Sequence, residues 1–517
     1  MKRGSGGPAR APVARALALG VALPFVAGAI AVGGFAPFYL WQLPLAALAA
    51  LFFVWSRAET RGAAALAGLA FGLGVFLGGV SWVYVSLHDF GGLPAWLAGF
   101  ATFLLCLYLA LFPATAGWLT VRFARPPALR LALAPAAFTL CEWLRGWLFT
   151  GFPWLTMGTS QVPASPFTGY APVLGVYGTT FVIAGVAALV VAAFSRDLFA
   201  PRVRLALGAG FVALYAGGIA LQSVEWTEPA GPPISVALLQ GNIPQEMKWR
   251  DEVRARTLED YRRMVIEANA KVVILPETAL PAFLDQLPHE YLESLRENAR
   301  KAGKEIVMGV VEREGRGREE KYWNSVLVLT APKYTAYRKR HLVPFGEYVP
   351  WGFRWFVDMM NIPMGDFELG ARKQGALPVD GTAFGVAICY EDVFGEEVID
   401  ALPGAQVLLN VSNDAWFGHS WAAEQHLQAS QARALETGRW MVRATNTGAT
   451  AAVDDRGNVA ERLEEFTRGT LVAAVQPRTG MTPYARTGNA AVLALVLALA
   501  IAVAWRARVA ARRGAPG

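Results

Sequence analysis

Cysteine is scarce: the chain has three in 517 residues, which excludes a disulfide-stapled scaffold. Zinc-type Cys/His spacing is missing too, and His341, His419 and His426 form no metal signature. No cofactor or metal is expected. No glycine-rich nucleotide loop follows a strand, and no internal repeat marks the polar part of the chain. Charge is also thin. Only 17% of residues are Asp, Glu, Lys or Arg against 54% hydrophobic, with a mean hydropathy of +0.34. That balance excludes an ordinary soluble enzyme and points to membrane integration.

The apolar content is concentrated in long runs. Eight approach or exceed the roughly 20 residues a bilayer-spanning helix needs: 14–35, 39–55, 63–87, 93–119, 129–148, 171–194, 203–222 and 488–505. Basic residues sit before the first run (Lys2, Arg3, Arg10, Arg15) and after every even-numbered one: Arg57 and Arg61; Arg122, Arg125 and Arg130; Arg196, Arg202 and Arg204; Arg506, Arg508, Arg512 and Arg513. Odd-numbered exits such as His88 to Gly92 are nearly uncharged. Because cationic short loops stay cytoplasmic, both termini are expected inside and the long segment after the seventh run outside. The first run, although it follows basic residues, reads as a retained span and not as a cleaved leader. These loops account for the net charge of +7 without nucleic acid. Glu142 and Arg145, three apart in the fifth run, are expected to pair or to line a polar cavity, with a lipid-headgroup contact as the alternative, since a lone charge in lipid is costly.

Three regions follow: a seven-helix membrane part at 1–222, an external domain at 223–486, and a last span with a basic tail at 487–517. Between Ser223 and Arg486 short apolar strands (234–239, 272–275, 305–311, 325–329, 385–389, 407–411, 441–445) alternate with amphipathic helices (253–268, 291–302, 422–435). That alternation predicts an α/β domain with strands buried on both faces.

Cys106 and Cys141 lie inside apolar runs and read as small buried hydrophobes. Cys389 alone falls outside them, and facing an oxidising compartment it has no disulfide partner, so it reads as chemistry. Glu277 follows one strand, Lys339 lies in the basic stretch Tyr337 to His341, and Cys389 ends another strand. In α/β sheets such positions converge in the crevice beyond the strand ends. A thiol needs a base to become a nucleophile, which Glu277 can supply. An ammonium at Lys339 would favour the thiolate and steady the oxyanion of an attacked carbonyl.

Leu275-Pro276-Glu277-Thr278, Tyr337 through Glu347, and Ile388-Cys389-Tyr390-Glu391 resemble, in order and context, the Glu-Lys-Cys motifs of the nitrilase superfamily. With the eight runs, Gln240 to Gln245, Ser412 to Gly418, and Thr445 to Gly448, the chain is similar to the apolipoprotein N-acyltransferase family of Gram-negative bacteria. Gly79 to Ser86 and Glu142 to Trp147 are similar to stretches of that family as well. The resemblance implies eight transmembrane helices plus an external, periplasmic αββα nitrilase-like domain in the inner membrane. It implies Glu277 as base, Lys339 as carbonyl polariser and Cys389 as nucleophile, with Glu347, Trp249, Tyr390 and Glu391 in support. The implied partners are a phospholipid acyl donor, typically phosphatidylethanolamine, and diacylglyceryl-modified apolipoproteins; separately, nothing in the sequence suggests an obligate oligomer, so a monomer is expected. The aromatic segment 350–360 is expected to act as a flap at the lipid surface. Two other readings share parts of the sequence: a membrane-tethered amidase using the same three residues, and a transporter or scaffold with an external binding module.

Overall fold

The computed structural model describes residues 18–513, apart from 246, 247, 249, 316, 353 and 355–365. They fall into two compact units, one from segments within Met1–Tyr84, Ala95–Ser223 and Asn489–Gly517, the other from Val85–Pro94 and Val224–Gly488.

The first unit is helical. Five helices among the described residues are long and apolar enough to cross a membrane: Arg61–Gly79, Ala95–Phe123, Pro166–Phe194, Pro201–Gln222 and Ala490–Ala510. Gly20–Gly34 and Gln42–Arg57 are apolar but shorter, and Pro127–Arg145 carries charged residues in its span. The third apolar run is also divided, because the helix from Arg61 ends at Gly79 and a separate turn begins at Trp82. Small residues set the packing: a Cβ on Gly28 would meet the Phe71 carbonyl at 2.1 Å, and one on Gly74 the Phe25 carbonyl at 2.1 Å. Only glycine lets these two backbones come so close. Within Pro127–Arg145, Arg145 Nη2 lies 3.7 Å from Glu142 Oε1. The pair is completed by Trp154 O, which accepts from Arg145 Nη1 at 2.8 Å, and by Met157 N, which donates to Glu142 Oε1 at 2.9 Å. Every strong polar atom so bonded lowers the cost of burying the two charges.

The second unit stacks two six-stranded sheets between helices. One sheet runs, in spatial order, Gly469–Val475, Ile234–Gln240, Val272–Leu275, Glu305–Glu314, Lys321–Val328, Ala336–Arg338. The other runs Val459–Arg462, Ala451–Val453, Met441–Thr445, Val407–Ser412, Thr382–Ile388, Leu377–Val379. In each, a parallel centre is bordered by antiparallel edge strands. Val236, Ile274 and Val307 from the first sheet meet Val386, Ile388 and Val411 from the second in a common core. The opposite face of the first sheet, with Ala237, Val273 and Ile306, is covered by Tyr261 and Val265 of helix Asp251–Glu267 and Leu295 of helix His289–Ala302. Leu427 and Ala434 of helix Ala422–Thr437 cover Leu408 and Met441 of the second. Alternate residues of each central strand are therefore buried on opposite faces, which is why these strands read as unbroken apolar runs. Each buried Val, Leu, Ile or Met side chain contributes about 1.5–3 kcal/mol. The arrangement is an αββα sandwich. Its short edge strands, including Ala336–Arg338 and Leu377–Val379, are not signalled by periodicity in runs of three residues.

Arg439 fixes one side of the sandwich. Fully buried, it donates from Nε to Ala405 O (2.9 Å) and from Nη2 to Gly480 O (2.7 Å), and among the described residues no carboxylate pairs with it. Arg439→Met strands these carbonyls, so a loss of about 2–4 kcal/mol is expected, read as a lowered unfolding temperature of the purified protein. An unchanged temperature would show that the guanidinium is dispensable.

Candidate active site

Three chain segments end at one place. Glu277 follows strand Val272–Leu275 and its backbone crosses Gly309, where a Cβ would lie 2.7 Å from Glu277 Cα and 2.5 Å from Pro276 O. Glycine at 309 is what allows the loop to pass over the neighbouring strand. Lys339 follows strand Ala336–Arg338, and its amide donates to Asn324 O at 2.8 Å. Cys389 follows strand Thr382–Ile388 at φ +52° and opens a short 3₁₀ turn. This left-handed backbone is strained for a residue with a Cβ.

The side chains form a closed set. Lys339, 1% exposed, places Nζ 2.8 Å from Glu347 and 3.7 Å from Glu277 Oε1. Asn324 Nδ2 bridges the carboxylates, donating to Glu277 Oε1 at 2.6 Å and Glu347 Oε1 at 3.0 Å. Glu277 Oε2 accepts from Asn413 N at 2.8 Å, and Glu347 Oε2 accepts from Val343 N at 2.9 Å. Cys389 is partly exposed and lies in electrostatic reach of both Glu277 and Lys339.

Glu391 joins the segments. Its Oε1 accepts from Arg340 N (2.7 Å) and His341 N (3.1 Å), and its Oε2 from Ile388 N (2.7 Å) and Tyr337 Oη (3.0 Å). It thereby ties the chain after Lys339 to the chain before Cys389. Burial nevertheless pushes this carboxyl up to about 7, against those donors. Tyr390 packs edge-on to Phe394 at 5.0 Å and to His341 at 5.8 Å. Trp249 lies outside the described residues, as does most of the segment expected to be a flap, while Trp351 within that segment is 99% exposed.

Lys339 acts on the sulfur in the expected direction, favouring the thiolate, but other groups outweigh it. Burial lowers the Lys339 pKa, but Glu347 and Glu277 outweigh it and raise the group, so the ammonium persists. Its charge is answered by two carboxylates. The Cys389 thiol is raised above its ordinary range by burial and then by Glu277, and Lys339 offsets only part of this. The balance of these groups favours the protonated thiol at rest. In a protein carrying Cys106→Ala and Cys141→Ala, alkylation of Cys389 by iodoacetamide is therefore expected to quicken about tenfold per pH unit from about pH 7 to 9. A plateau near neutrality would mean a preformed thiolate.

Sequence reasoning missed Asn324 and Lys248, and noted Asn413 only as part of the stretch Ser412 to Gly418. Lys248, 2% exposed, donates from Nζ to Thr278 Oγ1 at 2.7 Å. Burial draws it down to about 8, with Glu277 opposing. The signal available for it was its place beside Gln240 to Gln245. Asn324 had none beyond being an amide in an apolar strand.

A family model for the apolipoprotein N-acyltransferase N-terminal domain matches residues 27–189, and one for carbon-nitrogen hydrolases matches residues 235–484. An apolipoprotein N-acyltransferase of Nitrosomonas europaea is 47% identical over 92% of this chain and 95% of its own length. The chain belongs to the apolipoprotein N-acyltransferase family. Members bearing the same name from Chromobacterium violaceum and Ralstonia nicotianae are each 44% identical, covering 93% and 96% of this chain and 93% and 95% of their own. The αββα unit is thus the nitrilase-like part of an apolipoprotein N-acyltransferase-family protein, and the apolar helices are its membrane part.

Proposed function

We propose that this protein, an acyltransferase by family, moves a fatty acyl chain from the sn-1 position of a phospholipid to the N-terminal amine of a diacylglyceryl-cysteine lipoprotein, by way of a thioester on Cys389. The observation that carries the reading is the convergence of Glu277, Lys339 and Cys389 from three strand ends around one buried ammonium. In the first step Glu277 takes the thiol proton as sulfur attacks the ester carbonyl, and Lys339 meets the oxyanion. The carbon–oxygen bond then breaks and the proton passes to the leaving lysophospholipid alkoxide. In the second step the lipoprotein amine attacks the thioester and Glu277 takes its proton. The carbon–sulfur bond breaks, and the departing thiolate recovers a proton from Glu277. Atoms and charge balance across both halves.

A raised thiol suits this cycle, because deprotonation coupled to attack leaves no idle thiolate, and a thiol proton is available at the end. Asn324 and Glu347 hold the acid–base pair in place, and Glu391 and Tyr390 shape the segment that carries sulfur. Trp249 is taken as a supporting or substrate-binding residue and the 350–365 segment as the expected flap, and exposed Trp351 suits an interfacial setting. The reading includes eight spans in the inner membrane, both termini in the cytoplasm, and regions 1–222, 223–486 and 487–517 as membrane, periplasmic and anchoring parts. The donor is phosphatidylethanolamine and the working form a monomer.

Incubating the full-length protein with phospholipid labelled in its sn-1 chain and a diacylglyceryl lipopeptide tests this directly. Label in amide linkage on the peptide is expected. Label appearing as free fatty acid, with none on the peptide, would replace the transferase with a hydrolase.

A further inference from the structure

The left-handed backbone at Cys389 needs something to hold it, and the holding groups lie behind the sulfur. The Cys389 carbonyl accepts from Asn410 Nδ2 at 3.0 Å and from His426 Nε2 at 3.2 Å. His426, 1% exposed, also turns Nε2 to Asp392 Oδ1 at 2.8 Å. A carboxylate and a carbonyl can only accept, so Nε2 carries a proton whatever the state of the other ring nitrogen. That other nitrogen, Nδ1, faces Arg443 Nη2 at 2.7 Å and Asp414 Oδ1 at 3.2 Å. Arg443 Nη1 donates to Asn410 Oδ1 at 2.8 Å, which turns the Asn410 NH₂ towards Cys389. Ser430 Oγ donates to Asp392 Oδ2 at 2.5 Å, and Ser412 Oγ donates to Asp414 Oδ1 at 2.6 Å. All of these side chains are buried, and they come from strands Val407–Ser412 and Met441–Thr445, helix Ala422–Thr437 and the turns at Cys389–Val393 and Asp414–Phe417. A polar network this closed orients each donor.

We propose that His426, with Asn410, is a positioning residue for the nucleophile: its Nε2–H holds the Cys389 carbonyl so that the strained backbone keeps sulfur aimed at Glu277 and Lys339. Released, the peptide relaxes towards the ordinary φ region and swings the sulfur off line. A displacement of this order costs about 100-fold in rate while leaving substrate binding alone. The inference rests on Cys389 as the acyl carrier.

The test uses full-length protein in phospholipid nanodiscs and follows acyl-enzyme formation by intact mass, per folded molecule, across donor concentrations. His426→Leu is expected to slow formation about 100-fold at an unchanged half-saturating donor concentration, and His426→Gln, whose amide nitrogen can stand where Nε2 stands, to recover to within about tenfold of wild type. Asn410→Asp keeps shape but turns a donor into an acceptor. It is expected to slow formation about 100-fold as well, and it decides the matter if His426→Leu does not fold. Either of these two variants acylating within about threefold of wild type, or Leu and Gln at 426 being equally impaired, overturns the proposal. Wild type without any adduct would instead refute the acyl-carrier reading, so the two failures are distinguishable.

Discussion

Lys339→Met is expected to slow acyl-enzyme formation by about 1,000-fold, the effect of removing a charged donor from a developing oxyanion in a dry site. The methionine fills much of the lysine volume but leaves Glu277 and Glu347 facing each other across Asn324, which bridges them at 2.6 and 3.0 Å. Two carboxylates so close cannot both stay ionised, so one takes up a proton and the base is weakened along with the oxyanion support. Stability should fall too, by about 3–5 kcal/mol at neutral pH, since removing one member of a buried charge set strands the rest. The sign follows from Lys339 itself. Its pKa is raised in the folded protein, so its contribution is fully present at neutral pH and is lost only far into the alkaline range. Rapid-quench acylation together with thermal unfolding checks both effects. Acylation within about tenfold of wild type would remove Lys339 from the chemistry, since loss of an oxyanion donor costs about 100- to 1,000-fold.

Glu277→Gln should reduce acylation by about 1,000-fold with little change in folding. The amide is isosteric and can keep Oε1 towards Asn324 and Lys339. Its NH₂ then faces Asn413 N, a donor that the carboxylate accepts at 2.8 Å, so the loop shifts slightly while the proton acceptor is gone. Because burial biases the sulfur towards the thiol, loss of the base is not expected to be bypassed by a waiting thiolate. Raising the pH is therefore expected to restore part of the rate as hydroxide ionises the sulfur. A variant that turns over normally at pH 7, or one indifferent to pH, would refute the base assignment.

How far the sequence could be read depends on the physical signal each residue leaves. Strands such as Val272–Leu275 and Val407–Ser412 are buried on both faces, and their apolar runs announced them. The three-residue edge strands left no such pattern, and the two-sheet arrangement entered only through the resemblance. Glu277, Lys339, Glu347 and Glu391 were legible because they stand in distinctive motifs. Asn324 was not: it lies in strand Lys321–Val328 opposite Val311, and only the folded register brings it to two carboxylates. The Asn413 contribution is a backbone N–H, which sequence cannot mark at all. The direction of the Lys339 effect on sulfur was legible, but the groups that outweigh it were not, for a related reason. Nothing in the spacing tells that Glu347, eight residues on, folds back to 2.8 Å and answers the charge meant for sulfur. The pairing of Glu142 with Arg145 was readable because three residues is helical spacing.

The central claim is that sulfur at 389 carries the acyl chain between two lipids. Intact-mass measurement of wild type and Cys389→Ser after exposure to phospholipid, followed by addition of a diacylated lipopeptide, tests it most directly. Wild type should gain one fatty-acyl mass that departs when the lipopeptide arrives, and the serine variant should gain none that the lipopeptide removes. Wild type that stays unmodified while the lipopeptide still becomes acylated, or an adduct that persists undiminished after the lipopeptide is added, would contradict it.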